Sequence, residues 1–88
     1  MAEAEERLML VIDWLGGNCP VQAEGTVDGR PFYFRARWQH WSFDVDDVTF
    51  REERWGDSKF AAGWMPHDEA RSIIERCADE YSREHATG

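Results

Sequence analysis

The chain has 88 residues and a formal charge of −8 at pH 7, with 42% hydrophobic and 14% aromatic content, which allows one domain with one small core. That composition excludes a disordered chain. Eighteen acidic residues against ten basic ones argue against direct binding to a nucleic-acid backbone, and instead suit a monomer or a partner with a basic surface.

Residues 3–15 read as a helix. Ala4, Leu8, Val11, Ile12 and Leu15 recur at helical spacing, and Glu3, Glu5 and Glu6 stand where the macrodipole favours negative charge. Gly16-Gly17 supplies a helix stop, and Asn18, Cys19 and Pro20 lead onward.

Residues 21–45 then read as three antiparallel strands. Asp28-Gly29 has the residues a type I′ turn needs, since both central positions require φ > 0. That turn sets Val27 opposite Arg30, Gly25 opposite Phe32, Ala23 opposite Phe34 and Val21 opposite Ala36. One face of the hairpin becomes apolar, and the other carries Gln22, Glu24, Thr26, Tyr33 and Arg35. A second hairpin with Gln39-His40 as its loop would pair Ala36 with Phe43, Phe34 with Val45, Arg35 with Asp44 and Tyr33 with Asp46. Gln-His is a poor pair for such a turn, because neither residue takes φ > 0 cheaply.

Residues 46–65 carry weaker signals. Val48 and Phe50 can extend a strand, Trp55 to Ser58 looks like a turn, and residues 60–64 can form a short fourth strand or a covering loop. The last helix starts near Pro66, with Asp68 and Glu69 in its first turn and an apolar stripe of Ala70, Ile73, Ile74, Cys77 and Tyr81. Residues 85–88 are expected to fray. The fold expected for residues 1–88 is thus a single α+β domain in two layers: an N-terminal helix, a three-stranded antiparallel sheet with room for a short fourth strand, and a C-terminal helix.

The residues name no chemistry. His40, His67 and His85 are scattered, and no His or Cys pair has metal-ligand spacing. The run Asp44, Asp46, Asp47 lacks the glycine and glutamate offsets of a calcium loop. Cys19 and Cys77 lie far apart outside any CxxC pair, as in a reduced cytosolic protein, and the serines lack a nucleophile-elbow motif. No catalytic residue, metal or cofactor is therefore expected. The acidic N-terminus is wrong for a secretory signal, and no apolar run is long enough for a membrane span. Tyr33, Arg35 and Arg37 could imitate an RNA-binding sheet face, but net charge favours a solvated face on which Arg35 pairs with Asp44.

What remains is acidity beside aromatics. Asp44, Asp46 and Asp47, then Glu52, Glu53 and Asp57, then Glu75 and Asp79 on the outer side of the last helix, can imitate the spaced charges of a nucleic-acid backbone. Trp55 beside them suits an interface anchor, as does Trp64.

Two stretches, CPVQAEGTVDGRPFYFRAR at 19–37 continuing to HWSFDV at 40–45, and AGWMPHDEARSIIERCADEY at 62–81, resemble small acidic phage- and prophage-encoded proteins of high-GC bacteria. In size, acidity and layout the chain is similar to anti-CRISPR proteins, in particular inhibitors of type I (including type I-C) surveillance complexes. The resemblance rests on fold motifs and covers roughly half the chain. It implies a stoichiometric inhibitor in the cytoplasm of the host bacterium that occupies a basic DNA-binding surface of the Cascade complex and excludes target DNA, without turnover. The alternative is a phage accessory or regulatory adaptor that binds a host protein through exposed aromatics.

Overall fold

A computed structural model describes residues 9–59 and 61–85 of the chain. Five strands, β1 (Leu10–Gly16), β2 (Val21–Val27), β3 (Arg30–Arg37), β4 (His40–Val45) and β5 (Val48–Arg54), pair antiparallel in the order of the sequence. A short 3-10 turn at Ala61–Trp64 follows, and then one helix, α1 (His67–His85). The fold is mostly β, with the helix covering one face of a five-stranded sheet.

The β2–β3 hairpin pairs as its turn residues dictate: Val27 with Arg30, Gly25 with Phe32, Ala23 with Phe34 and Val21 with Ala36. Asp28 and Gly29 take φ of 52° and 82°, the left-handed pair that a type I′ turn demands. The next hairpin differs from expectation. Its loop is Trp38-Gln39, with Trp38 at φ 60°, so that Arg37 faces His40, Phe34 faces Phe43 and Tyr33 faces Asp44. The register is displaced by two residues. Because side chains alternate with period two, every side chain keeps the face assigned to it.

The N-terminal helix is overturned. Residues 3–8 of that expectation lie outside the described residues, and residues 10–16 form β1. Asp13 is an extra residue in the ladder: Ile12 pairs with Gly25 and Trp14 with Glu24, so a bulge lies between them. Leu10, Ile12 and Leu15 thereby all oppose inner-face partners on β2 and pack on the core. The bulge sets Ile12 and Leu15 three apart, which copies helical spacing and hides the alternation of a strand. Gly16-Gly17 opens the β1–β2 connection instead of ending a helix, and the Gly17 carbonyl accepts from His67 Nε2 at 2.8 Å.

The three-stranded sheet is likewise corrected to five, and the short fourth strand allowed for residues 60–64 is not formed at residues 61–64, while residue 60 lies outside the described residues. Residues 48–54 make a full strand, while Ala61–Trp64 make the 3-10 turn. Asp46 and Asp47, with φ of 55° and 65°, form a second two-residue turn with both residues left-handed. Aspartate tolerates that region through its short polar side chain, which is why Asp-Asp turns here without glycine.

The core lies between the inner sheet face and α1. Val21, Ala23, Phe34, Ala36, Phe43 and Ile74 are fully buried, with Trp41 and Cys77 at 1% exposure. Helix α1 starts directly after Pro66, whose carbonyl accepts from Ala70 N at 3.0 Å. Its apolar stripe is the expected one, with Ala78 and Ser82 added. His85, expected to fray, is helical and stacks on Tyr81 with ring centroids 4.0 Å apart; residues 86–88 lie outside the described residues.

Candidate functional site

Helix α1 covers one face of the sheet, and among the described residues no element covers the opposite, open face. Pairing registers put Val11, Trp14, Glu24, Tyr33, Arg35, Arg37, His40, Ser42, Asp44 and Arg54 on that open side, since each is opposite a neighbour out of phase with the core. The face has two ends of opposite character.

At the acidic end, a depression of about 500 Å³ is lined by Asp13, Glu24, Asp44 and Asp47 together with Thr26 and Tyr33, among others. No lysine or arginine lines it. Asp13 reaches it because the β1 bulge places it outside the alternation, and Asp47 because it is the second residue of the β4–β5 turn. Asp44 is half-buried, and its Oδ1 is enclosed with no hydrogen-bond partner. Among the described residues no group of three or more His, Cys, Asp or Glu is arranged to hold a metal ion. Tyr33 closes the centre of the face by donating its hydroxyl to Gln22 Oε1 at 2.7 Å.

Some of the acidity serves the fold. Asp46 binds Arg30 Nη1 at 2.6 Å, and its backbone N–H donates to the Pro31 carbonyl at 3.0 Å. Asp28 accepts from Met9 N at 3.0 Å and donates its own N–H to the Met9 carbonyl at 2.8 Å. These contacts tie the two left-handed turns to neighbouring strands.

At the other end the Arg37, His40 and Arg54 positions form one row across β3, β4 and β5, with Arg35 and Ser42 in the next. A depression of about 280 Å³ opens there, lined by Arg35, Arg37, Trp38, His40 and Ser42. The Arg37 guanidinium lies 5.1 Å from the centre of the Trp38 ring. Expected pairing of Arg35 with Asp44 does not occur, because the two-residue register displacement puts Ser42 opposite Arg35. Among the described residues no carboxylate is within ion-pair distance of Arg35, Arg37 or Arg54.

The acids singled out from sequence do not form one surface. Asp44 and Asp47 meet in the acidic depression, and Asp46 stands beside them bonded to Arg30. Glu52 lies across from Ser42 on the open face, whereas Glu53 lies across from Trp41 on the helix side. Trp55 is half-buried against the core, with its N–H bonded to the Gln39 carbonyl at 2.6 Å, and Asp57 is in the exposed loop beyond it. Glu75 and Asp79 are on α1, in the other layer, where Asp79 pairs with Arg83 at 3.1 Å. Asp13 and Glu24 were missed. Glu24 was legible as an outer-face residue of β2, while Asp13 needed the bulge.

The closed side of β5 is held by charge. Arg51, opposite Phe43, reaches Glu80 at 3.3 Å and Glu84 at 2.8 Å on α1, and its guanidinium lies 4.1 Å over the Phe50 ring. Burial pushes the Cys77 thiol up to about 12. It is chemically quiet beside Cys19, which is exposed.

No protein-family model matches this chain, and neither a curated protein nor a solved structure matches it. No helix among the described residues is long and apolar enough to cross a membrane.

Proposed function

We propose that the protein is a non-catalytic binding protein that sets the acidic end of its open sheet face against a basic, nucleic-acid-binding surface of a partner complex. The observation that carries this reading is the convergence of Asp13, Glu24, Asp44 and Asp47 on one depression of the open face that no lysine or arginine lines. Arginine or lysine side chains of a partner pair with the accessible carboxylate oxygens of this cluster, and the pairing gains from desolvation at the centre of the contact.

The resemblance to anti-CRISPR proteins gives the partner: a type I Cascade complex, whose DNA path is basic. Inhibition is then stoichiometric exclusion of target DNA in the host cytoplasm, with no cofactor. Of the acids first considered for the contact, Asp44 and Asp47 are central. Glu75 and Asp79, on the opposite layer, are outside it. The test is a gel-shift with purified type I-C Cascade, its target DNA and this protein added first, at low and moderate salt. Loss of DNA binding that salt relieves is the expected result. Undisturbed DNA binding together with no capture of Cascade in a pull-down removes this partner.

The adaptor reading has its own support: Trp14 and Trp64 are 50% and 63% exposed. An adaptor seated on these rings would hold its partner as salt rises, which separates the two.

A further inference from the structure

The basic end of the open face is independent of the contact proposed above. We infer that it is a binding site for a small phosphate ester, held by Arg35 and Arg37 with the Ser42 hydroxyl and His40 as further donors, with Trp38 as an aromatic wall and Arg54 at its outer edge.

Three observations converge. The pairing registers put Arg37, His40 and Arg54 side by side on three adjacent strands, with Arg35, Ser42 and Glu52 one row in. Three guanidinium groups are thus held on one rigid surface of a chain with net charge −8, and among the described residues none has a carboxylate at ion-pair distance. A fold with eighteen acidic side chains neutralises such a row readily. Here it leaves a concavity of about 280 Å³ lined by Arg35 and Arg37 and by no carboxylate, while Arg54 lines the adjoining depression with His40, Glu52 and Glu53. Guanidinium forks match phosphate oxygens in geometry as well as charge. Finally, the Arg37 guanidinium already lies 5.1 Å from the Trp38 ring centre, so cation and aromatic surface are presented together at the mouth.

The same face limits the ligand. Neighbouring strands lie ~4.8 Å apart, so the row across β3, β4 and β5 is about 10 Å wide, enough for one or two phosphate groups. Glu52 borders it on β5, and Asp13, Glu24, Asp44 and Asp47 occupy the far end. A long polyanion lying along the strands would run into those carboxylates. A nucleotide, with phosphates on the arginines and a base against Trp38, does not.

The test is a titration of the ¹⁵N-labelled full chain with inorganic pyrophosphate, with ATP and with a single-stranded oligonucleotide, in low salt at millimolar ligand. Saturable shifts at Arg35, Arg37, His40 and Ser42 are expected with pyrophosphate and ATP. The exposed double variant Arg35→Ala/Arg37→Ala should weaken both by about tenfold or more. Arg54→Ala alone should weaken them less. Arg71→Ala/Arg76→Ala, which removes the same charge from α1, should change them by less than about twofold. ATP binding more tightly than pyrophosphate adds Trp38 stacking, and equal binding leaves the phosphate contacts as the whole site; both support the assignment. Absence of saturable shifts, equal loss in the α1 variant, or tighter binding of the oligonucleotide than of ATP overturns it.

Discussion

The two faces of this one sheet are built from alternate residues of the same strands, and they answer to different demands. On the inner face Ala23, Phe34 and Phe43 are fully buried under α1, and each is confined by neighbours in volume and shape. On the outer face Glu24, Arg35, Arg37 and Asp44 lie one position away and touch no second layer. Substituting an inner residue breaks the fold. Substituting an outer one leaves the fold and changes what can dock. The difference also shows in how charge is used: inside the layered region Arg51 is locked to Glu80 and Glu84, whereas on the open face like charges are grouped, with no ion pair among the described residues at Arg35, Arg37 or Arg54.

Phe34 is the strictest test of the inner face. It is fully buried on the central strand, with its ring 6.0 Å from that of Trp41. Phe34→Ala should cost about 4 kcal/mol, measured by urea denaturation, a large part of the stability of so small a domain. A loss below about 1 kcal/mol would show that the core is not organised around that strand.

Gly25 is next. An added Cβ would meet the Val11 carbonyl oxygen, and would come within 2.9 Å of the Phe32 ring. The carbonyl belongs to the β1 backbone and cannot rotate away. Gly25→Ala should cost about 3 kcal/mol and release β1 first, seen as loss of amide protection at residues 10–16 before the rest.

Cys77 sharpens the contrast chemically. Its thiol is raised from 9.0 to about 12 because burial disfavours the thiolate. The folded state therefore favours the protonated form. The stability this contributes is fully present below pH 9 and is lost as pH rises from there through 12. A thiol reagent at pH 8 should modify Cys19 at once and Cys77 only on unfolding. Rapid modification of both would place Cys77 outside the core.

Arg51 stands between the two faces in size of effect. Its ion pairs are part-exposed, so Arg51→Ala should lower the urea midpoint only slightly, with the difference from wild type shrinking at high salt.

These faces were unequally legible. Where a turn carries its own conformational demand, as at Asp28-Gly29, sequence alone gave pairing and faces together. At Trp38-Gln39 it gave the faces but not the register, because a two-residue displacement preserves alternation and only a tertiary anchor picks between registers. That anchor is the 3-10 turn region, where Ala62 N–H bonds the Trp38 carbonyl at 2.8 Å. β1 was hidden because one extra residue at Asp13 turns a period of two into an apparent period near 3.6. The acidic depression was half legible for the same reason. Glu24 and Asp44 follow from alternation, whereas Asp13 reaches the site only through the bulge, and Asp47 only through an Asp-Asp turn that carries no glycine to mark it.

The most direct test neutralises the depression without reshaping it: Asp13→Asn, Glu24→Gln, Asp44→Asn and Asp47→Asn in one variant. Asparagine accepts the left-handed backbone at position 47, so the turn is kept. Melting temperature and inhibition of Cascade–DNA binding are then measured side by side with wild type. The account predicts an unchanged or slightly raised melting temperature, since like charges are removed, together with loss of inhibition. Inhibition retained at wild-type strength by this folded variant would contradict it.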